Sequence, residues 1–258
     1  MDLLLPELAV VAFGAGLVDA VMGGGGMLQV PALFALLPGA APAVLLGTNK
    51  FASSVGTAGA ALQYARATPP RWSTVAPAIA AALLLALLGA HVVTQVPAAP
   101  MRKLLPFLLL GLLLYNAGNK LGATHAPHFA RGHEALVAAG GAAAVGFYDG
   151  FFGPGAGAFY KLIFVRLLRY DFLHAAAPAK LANLASNLGA LPVFILHGAV
   201  LWKPALVMAV ANFAGGQIGA RIALRYGNRF IRLAFIGVVS LLVARTFYDA
   251  YLAPSAAP

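Results

Sequence analysis

Lys50, Ser53 and Thr57 are spaced i, i+3, i+7, and Lys180, Asn183 and Asn187 repeat that spacing 130 positions later. On a helix each triplet occupies one face. Two such faces brought together offer two ammonium groups with hydroxyl and amide donors, a lining suited to an oxyanion. The ordinary alternative is that the lysines snorkel to an interface and that Ser, Thr and Asn only join helices by hydrogen bonds. Polarity at all three positions in both copies favours a site. Thr48 and Asn49 precede Lys50 and serve as cap or as ligand.

Two glycine clusters hold the same relation. Gly23, Gly24, Gly25 and Gly26 form one run; Gly153, Pro154, Gly155 and Gly157 fall in the other. Such runs break a helix. A half-helix starting inside a membrane presents unpaired N–H groups and the positive end of its dipole, which favour an anion. Close helix packing also uses glycine, but spaced small residues would suffice for that. Asp19 and Asp149 stand about one turn before the breaks. An acid in an apolar span is a functional candidate by default: each aspartate either carries a proton or pairs with a lysine of its own or the other half and holds the fold. Lys161 and Arg221 are further basic candidates, or else interfacial anchors.

Other chemistries find little support. There is no cysteine, hence no disulfide, thiol catalysis or Cys-ligated zinc. His125, His128 and His133 cluster loosely, while His91, His174 and His197 lie near segment ends without carboxylates at ligand spacing. No metal site, cofactor or nucleophile-and-base motif is expected. Ser53 and Ser54 have no His nearby in sequence, which disfavours an intramembrane enzyme. An anion channel and a cation transporter using the two aspartates stay open.

The elements that position these residues follow from composition. Apolar residues make up 61% of the chain and charged residues 9%, against about 45–50% and about 25% in soluble domains, so most of the outside must face lipid. A chain of 258 residues at about 20 per crossing has room for roughly eight spans. Apolar segments run near 7–37, 44–65, 73–96 and 103–118, then 134–168, 173–198, 202–224 and 231–252. The expectation is an all-α polytopic bundle of two homologous four-segment units, 1–118 and 134–258, joined by a linker at 119–133 that holds Lys120 and Arg131. The offset of 130 also pairs Gly16 with Gly146, Gly59 with Gly189, Trp72 with Trp202, Gly89 with Gly219 and Arg102 with Arg232. Matches at residues so rare here mark an internal repeat.

If each opening segment crosses once, the units are parallel, the preferred arrangement. If it folds back as a re-entrant hairpin, the count per unit becomes odd and the units are inverted. The N-terminus, MDLLLPEL, lacks the positive region of a secretory signal, so its apolar stretch is expected to be retained. The net charge of +10 sits in short loops, as in membrane proteins, and no soluble basic face exists for nucleic acid. Counting Arg102, Lys103, Arg166, Arg169, Arg221, Arg225, Arg229 and Arg232 on one side against Arg66, Arg71, Lys120, Arg131 and Lys203 on the other puts both termini outside.

The stretches GLVDAVMGGGGMLQVPAL (Gly16 to Leu33) and GTNKFASSVGT (Gly47 to Thr57), with GFYDGFFGPGAG (Gly146 to Gly157) and KLANLASNLGAL (Lys180 to Leu191), resemble the TauE/SafE sulfite-exporter family. The resemblance spans nearly the whole chain. It implies seven or eight spans in two repeated halves of a bacterial inner-membrane transporter that moves sulfite, sulfonates or related organosulfur anions. The partners implied are a small anion and the lipid bilayer, with a homodimer left open. One departure stands out: where the first half has Thr48-Asn49-Lys50, the second has Pro178-Ala179-Lys180, so no second threonine hydroxyl is available.

Overall fold

A computed structural model describes residues 2–97, parts of 100–114, 131–226 and single positions between 240 and 251. Regular structure among the described residues is helical. The helices are α1 (Leu5–Met22), α2 (Gly26–Leu36), α3 (Pro42–Ala67), α4 (Trp72–Val93), α5 (Arg131–Phe151), α6 (Ala156–Leu162, extended by a π turn over Ile163–Leu167), α7 (Phe172–Leu196) and α8 (Trp202–Tyr226). The expected linker 119–133 is shortened, because Arg131 already opens α5. Lys120, His125, His128, Arg229, Arg232 and most of segment 231–252 lie outside the described residues.

Helix starts and stops follow local chemistry. Pro42 opens α3, where a missing N–H is harmless and the fixed φ suits the first turn. Asp171 caps α7 by accepting from the Leu173 and His174 N–H groups at 2.9 Å each. Its ring contact with His174 gives that histidine a carboxylate neighbour that the sequence reading had denied it. Gly23 ends α1 with φ +79°, and its N–H donates to the Asp19 carbonyl at 2.8 Å. That left-handed conformation is natural to glycine and strained for other residues.

Beyond each break the chain turns back. Gly25 lies against Ala15 and Asp19 of α1, while Gln29 of α2 and Gly16 of α1 both meet Asn212 of α8. In the other half Phe159 of α6 meets the Tyr148 ring at 5.5 Å, and Ile163 lies against Gly141 of α5. Each opening segment is therefore a hairpin rather than a single crossing.

The long helices interlock. α1 packs on α8 in parallel, with Gly16 against Asn212 and Gly219 against Leu17 and Ala20. α5 packs on α4 in the same sense, Gly146 against Ala82 and Gly150 against Ala86. In lipid such contacts gain by dispersion and close backbone approach rather than by the hydrophobic effect. α3 and α7 meet antiparallel, Lys50 beside Asn187 and Thr68 beside Leu173. The expectation of parallel units is thus corrected for these helices. The reason is the hairpin: a segment that folds back returns the chain towards the side it came from and removes a crossing.

This course also regroups the loop charges. Arg71 reaches Glu134 at 2.7 Å, the Tyr170 hydroxyl donates to the same carboxylate, and Thr68 approaches Leu173. The α3–α4 loop, the start of α5 and the α6–α7 loop therefore share one end of the bundle. Arg66 and Arg71 lie with Arg166 and Arg169, not opposite them. Among the described residues four helices, α1, α4, α7 and α8, are long and apolar enough to cross a membrane. Val10, Leu136 and Val210, each more than 70% exposed, suit a lipid-facing surface.

Candidate functional site

The two hairpin tips meet in the middle of the molecule. A Cβ on Gly23 would overlap the backbone of Gly157 and Ala158, and one on Gly26 would press on Pro154. Only glycine lets the two tips approach this closely. The Tyr148 hydroxyl donates to the Pro154 carbonyl at 2.6 Å and steadies the second break. The Tyr64 hydroxyl donates to the Ala20 carbonyl at 2.9 Å near the first.

Beside the tips lies a small cavity of about 20 Å³. Its walls include Asp19 and Asp149, Gly23 and Gly153, Gly26 and Ala156, Ser53 and Asn183, and Thr57 and Asn187. Each pair is separated by 130 positions. Asn49, Gly155 and Gly157 complete the lining. Neither α2 nor α6 has a side-chain cap on its first turn, and first-turn residues of both border the space.

Lys50 and Lys180 are not part of this wall. Each reaches across to the aspartate of the other half: Lys50 Nζ lies 2.6 Å from Asp149 Oδ1, and Lys180 Nζ 2.5 Å from Asp19 Oδ2. Lys50 also donates to Asn187 at 3.0 Å, and Lys180 to the Asp19 carbonyl at 2.5 Å. The picture of two free cations is corrected accordingly: burial in low dielectric is tolerable for these charges because they are paired. Asp149 is further bonded by the Ser186 hydroxyl at 2.5 Å, Asp19 by Thr57 at 3.3 Å.

Four other candidates fall elsewhere. Thr48 donates to the Val44 carbonyl and accepts from the Leu201 N–H, tying α3 to the start of α8. Gly24 and Gly25 form the turn behind the cavity, Gly25 against α1. Arg221 is exposed on α8.

Two groups near the tips find their place only in the structure, in different ways. Ser186 aligns with Gly56, so a search for matching polar pairs passes over it. Lys161 was noted without a place. Its Nζ donates to the Val21 carbonyl at 2.8 Å and lies 4.0 Å from the centroid of the Phe172 ring. It is 2% exposed and, among the described residues, forms no ion pair with a carboxylate. Around the tips three buried lysines thus stand with two aspartates. No group of three potential metal ligands occurs among the described residues.

The family model described as "Sulfite exporter TauE/SafE" matches residues 8–246. A probable membrane transporter protein, ORF9, of Sinorhizobium sp is 38% identical over 246 residues, covering 95% of this chain and 93% of that protein. The probable membrane transporter protein YfcA of Escherichia coli K12 is 39% identical over 250 residues, covering 96% and 91%. A probable membrane transporter protein of Haemophilus influenzae is 35% identical over 247 residues, covering 95% of each. No solved structure matches.

Proposed function

The chain belongs to the TauE/SafE family of membrane transporters, and from that premise we propose that it is a secondary transporter of a small sulfur oxyanion or sulfonate. The observation that carries the reading is the cavity lining: five positions of each half, related by 130 residues, border one space between the hairpin tips. A site built this way presents equivalent groups to both halves, which suits alternating access by exchange of their conformations. The uncapped first turn of α2, the amide and hydroxyl side chains and the third buried lysine favour a negative ligand. The family description supplies sulfite as the substrate class, while the relatives' names specify none. Their description as transporters leaves the intramembrane-enzyme reading without support.

On this reading residues 1–118 and 134–258 are inverted units around the linker 119–133, in the bacterial inner membrane. The antiparallel course of α3 and α7 supports the inversion. The positive-inside rule puts the end bearing Arg66, Arg71, Arg166, Arg169 and Arg225 in the cytoplasm and the start of α1 outside. Asp19 is the coupling residue. Its carboxylate borders the cavity and neutralises Lys180. A proton on Asp19 frees the ammonium group for the substrate, so that proton and anion load together.

The test is flux of radiolabelled sulfite and methanesulfonate into proteoliposomes. Saturable uptake driven by a pH gradient is expected. Asp19→Asn, a mimic of the protonated acid, should keep saturable uptake but lose its dependence on the gradient. No saturable flux of any sulfur anion overturns the substrate class. Flux linear in the driving force marks a channel, and competition by cations in place of oxyanions marks a cation transporter.

A further inference from the structure

We infer that Lys161 is the charge-selecting residue of the cavity, the one that makes it prefer a negatively charged oxyanion to an uncharged molecule of the same shape. The inference rests on the anion-transporter reading above. The crossed pairs Lys50–Asp149 and Lys180–Asp19 cancel in charge. Lys161 is buried and, among the described residues, forms no direct ion pair with a carboxylate; its partners are a carbonyl and an aromatic face. An unpaired ammonium group is expensive to bury, and inside a membrane protein such a group marks a functional site.

Its position fits the role. Lys161 is on α6, whose start at Ala156 and Gly157 lines the cavity, and its Nζ is bonded at Val21, between the lining residues Asp19 and Gly23. The bland alternative is a cap: a cation at the carboxyl end of α1 satisfies a free carbonyl and complements the dipole. The second half argues against that as the whole reason. The counterpart of Lys161 in the first half is Pro31, so the hairpin of α5 and α6 forms without a lysine reaching over from the corresponding place. The extra charge is also the clearest electrostatic break in the symmetry of the two halves. In a medium of low dielectric it acts on a ligand in the cavity without touching it.

The experiment measures thermal unfolding of the purified full-length protein in detergent, with sulfite, methanesulfonate or the neutral isostere dimethyl sulfone as probes. A bound ligand raises the unfolding temperature by mass action. Wild type should respond to the two anions and not to dimethyl sulfone. Lys161→Met should leave the ligand-free unfolding temperature unchanged or higher, because a buried unpaired charge is removed, while the anions bind at least about tenfold more weakly. Lys161→Arg should keep the anion response. If Lys161→Met lowers the ligand-free temperature and retains the anion response, the lysine is a cap and the inference fails alone. If Lys161→Met does not fold, Lys161→Gln is read by the same criteria, and failure of both to fold makes the lysine structural and likewise overturns it. Absence of any anion response in wild type overturns the transporter reading itself and this inference with it.

Discussion

The two crossed ion pairs are built from equivalent residues, yet they are not equivalent. The Asp149 side chain is 3% exposed and that of Asp19 14%. Asp149 takes a second strong bond from Ser186, whereas Asp19 has only the longer one from Thr57. The cause lies one layer out. Ser186 corresponds to Gly56, and Gly56 is a glycine because the Asn212 side chain of α8 fills the space where a Cβ would go. The counterpart of Asn212 in α4 is Ala82, a smaller residue that leaves room for the serine. An exchange of bulk between neighbouring helices thus decides which of the two cavity-lining aspartates is the more enclosed. The two crossed pairs are thus one tight pair and one more accessible pair.

The comparison can be broken or sharpened by substitution. The largest effect is expected from Lys50→Met, which strands Asp149 in an enclosed place. Breaking a buried pair costs about 3–5 kcal/mol. Lys180→Met should cost less, because Asp19 is the more exposed of the two aspartates, and chemical unfolding in detergent should rank the two in that order. The reverse ranking would contradict the inequivalence drawn above. Ser186→Gly copies the first half into the second and removes a hydrogen bond to a charged group, a loss of about 1.5–3 kcal/mol. It should also make transport respond to Asp149→Asn as it does to Asp19→Asn. Gly56→Ser is the opposite exchange and should destabilise by about 1–3 kcal/mol through overpacking on Asn212. Combining it with Asn212→Ala should recover most of that loss, a coupling readable from melting temperatures of the two single variants and the double variant.

The smallest effect concerns the start of the paired helices. Asp171 caps α7, while its counterpart Ala41 leaves α3 without a side-chain cap. Asp171→Ala should lose, and Ala41→Asp gain, about 0.5–2 kcal/mol. Partial burial works to raise the Asp171 pKa, but the His174 N–H and ring and the Leu173 N–H outweigh it and hold the carboxyl below its ordinary value. A carboxylate whose pKa is lowered by folding contributes stability above its unfolded pKa, about 3.9. That contribution disappears as pH falls through the folded value. The acid side of the melting-temperature profile should therefore flatten in Asp171→Asn.

Much of the candidate site was legible in the sequence, because polar residues are scarce here. Lys50, Ser53, Thr57 and their counterparts stood out against an apolar background, and their spacing fixed a common face. What spacing cannot fix is the face opposite. The sequence allowed an aspartate to pair within its own half or across, and the crossing emerges only from α1 lying on α8 and α5 on α4. The glycine runs told where a helix breaks, but not that the chain would reverse there. That depends on Gly25 finding room against Ala15 and on Phe159 finding Tyr148. Thr48 misled because a polar neighbour of a site lysine projects from a different side of the helix, where its hydroxyl oxygen accepts from the Leu201 N–H. Ser186 was hidden by the symmetry that revealed the rest.

The crossing of the ion pairs carries a consequence for ancestry. A single half, translated alone, would hold Asp19 without Lys180 and Lys50 without Asp149. Its α1 would also lack the surface supplied by α8. Such a fragment becomes complete only beside a second copy inserted the other way up. If one gene was duplicated to make this chain, its product had to work as an antiparallel pair, inserted in both orientations, before fusion. On that course each copy was then free to change alone, and Ser186, Asn212 and Lys161 stand 130 positions from Gly56, Ala82 and Pro31, residues unlike them.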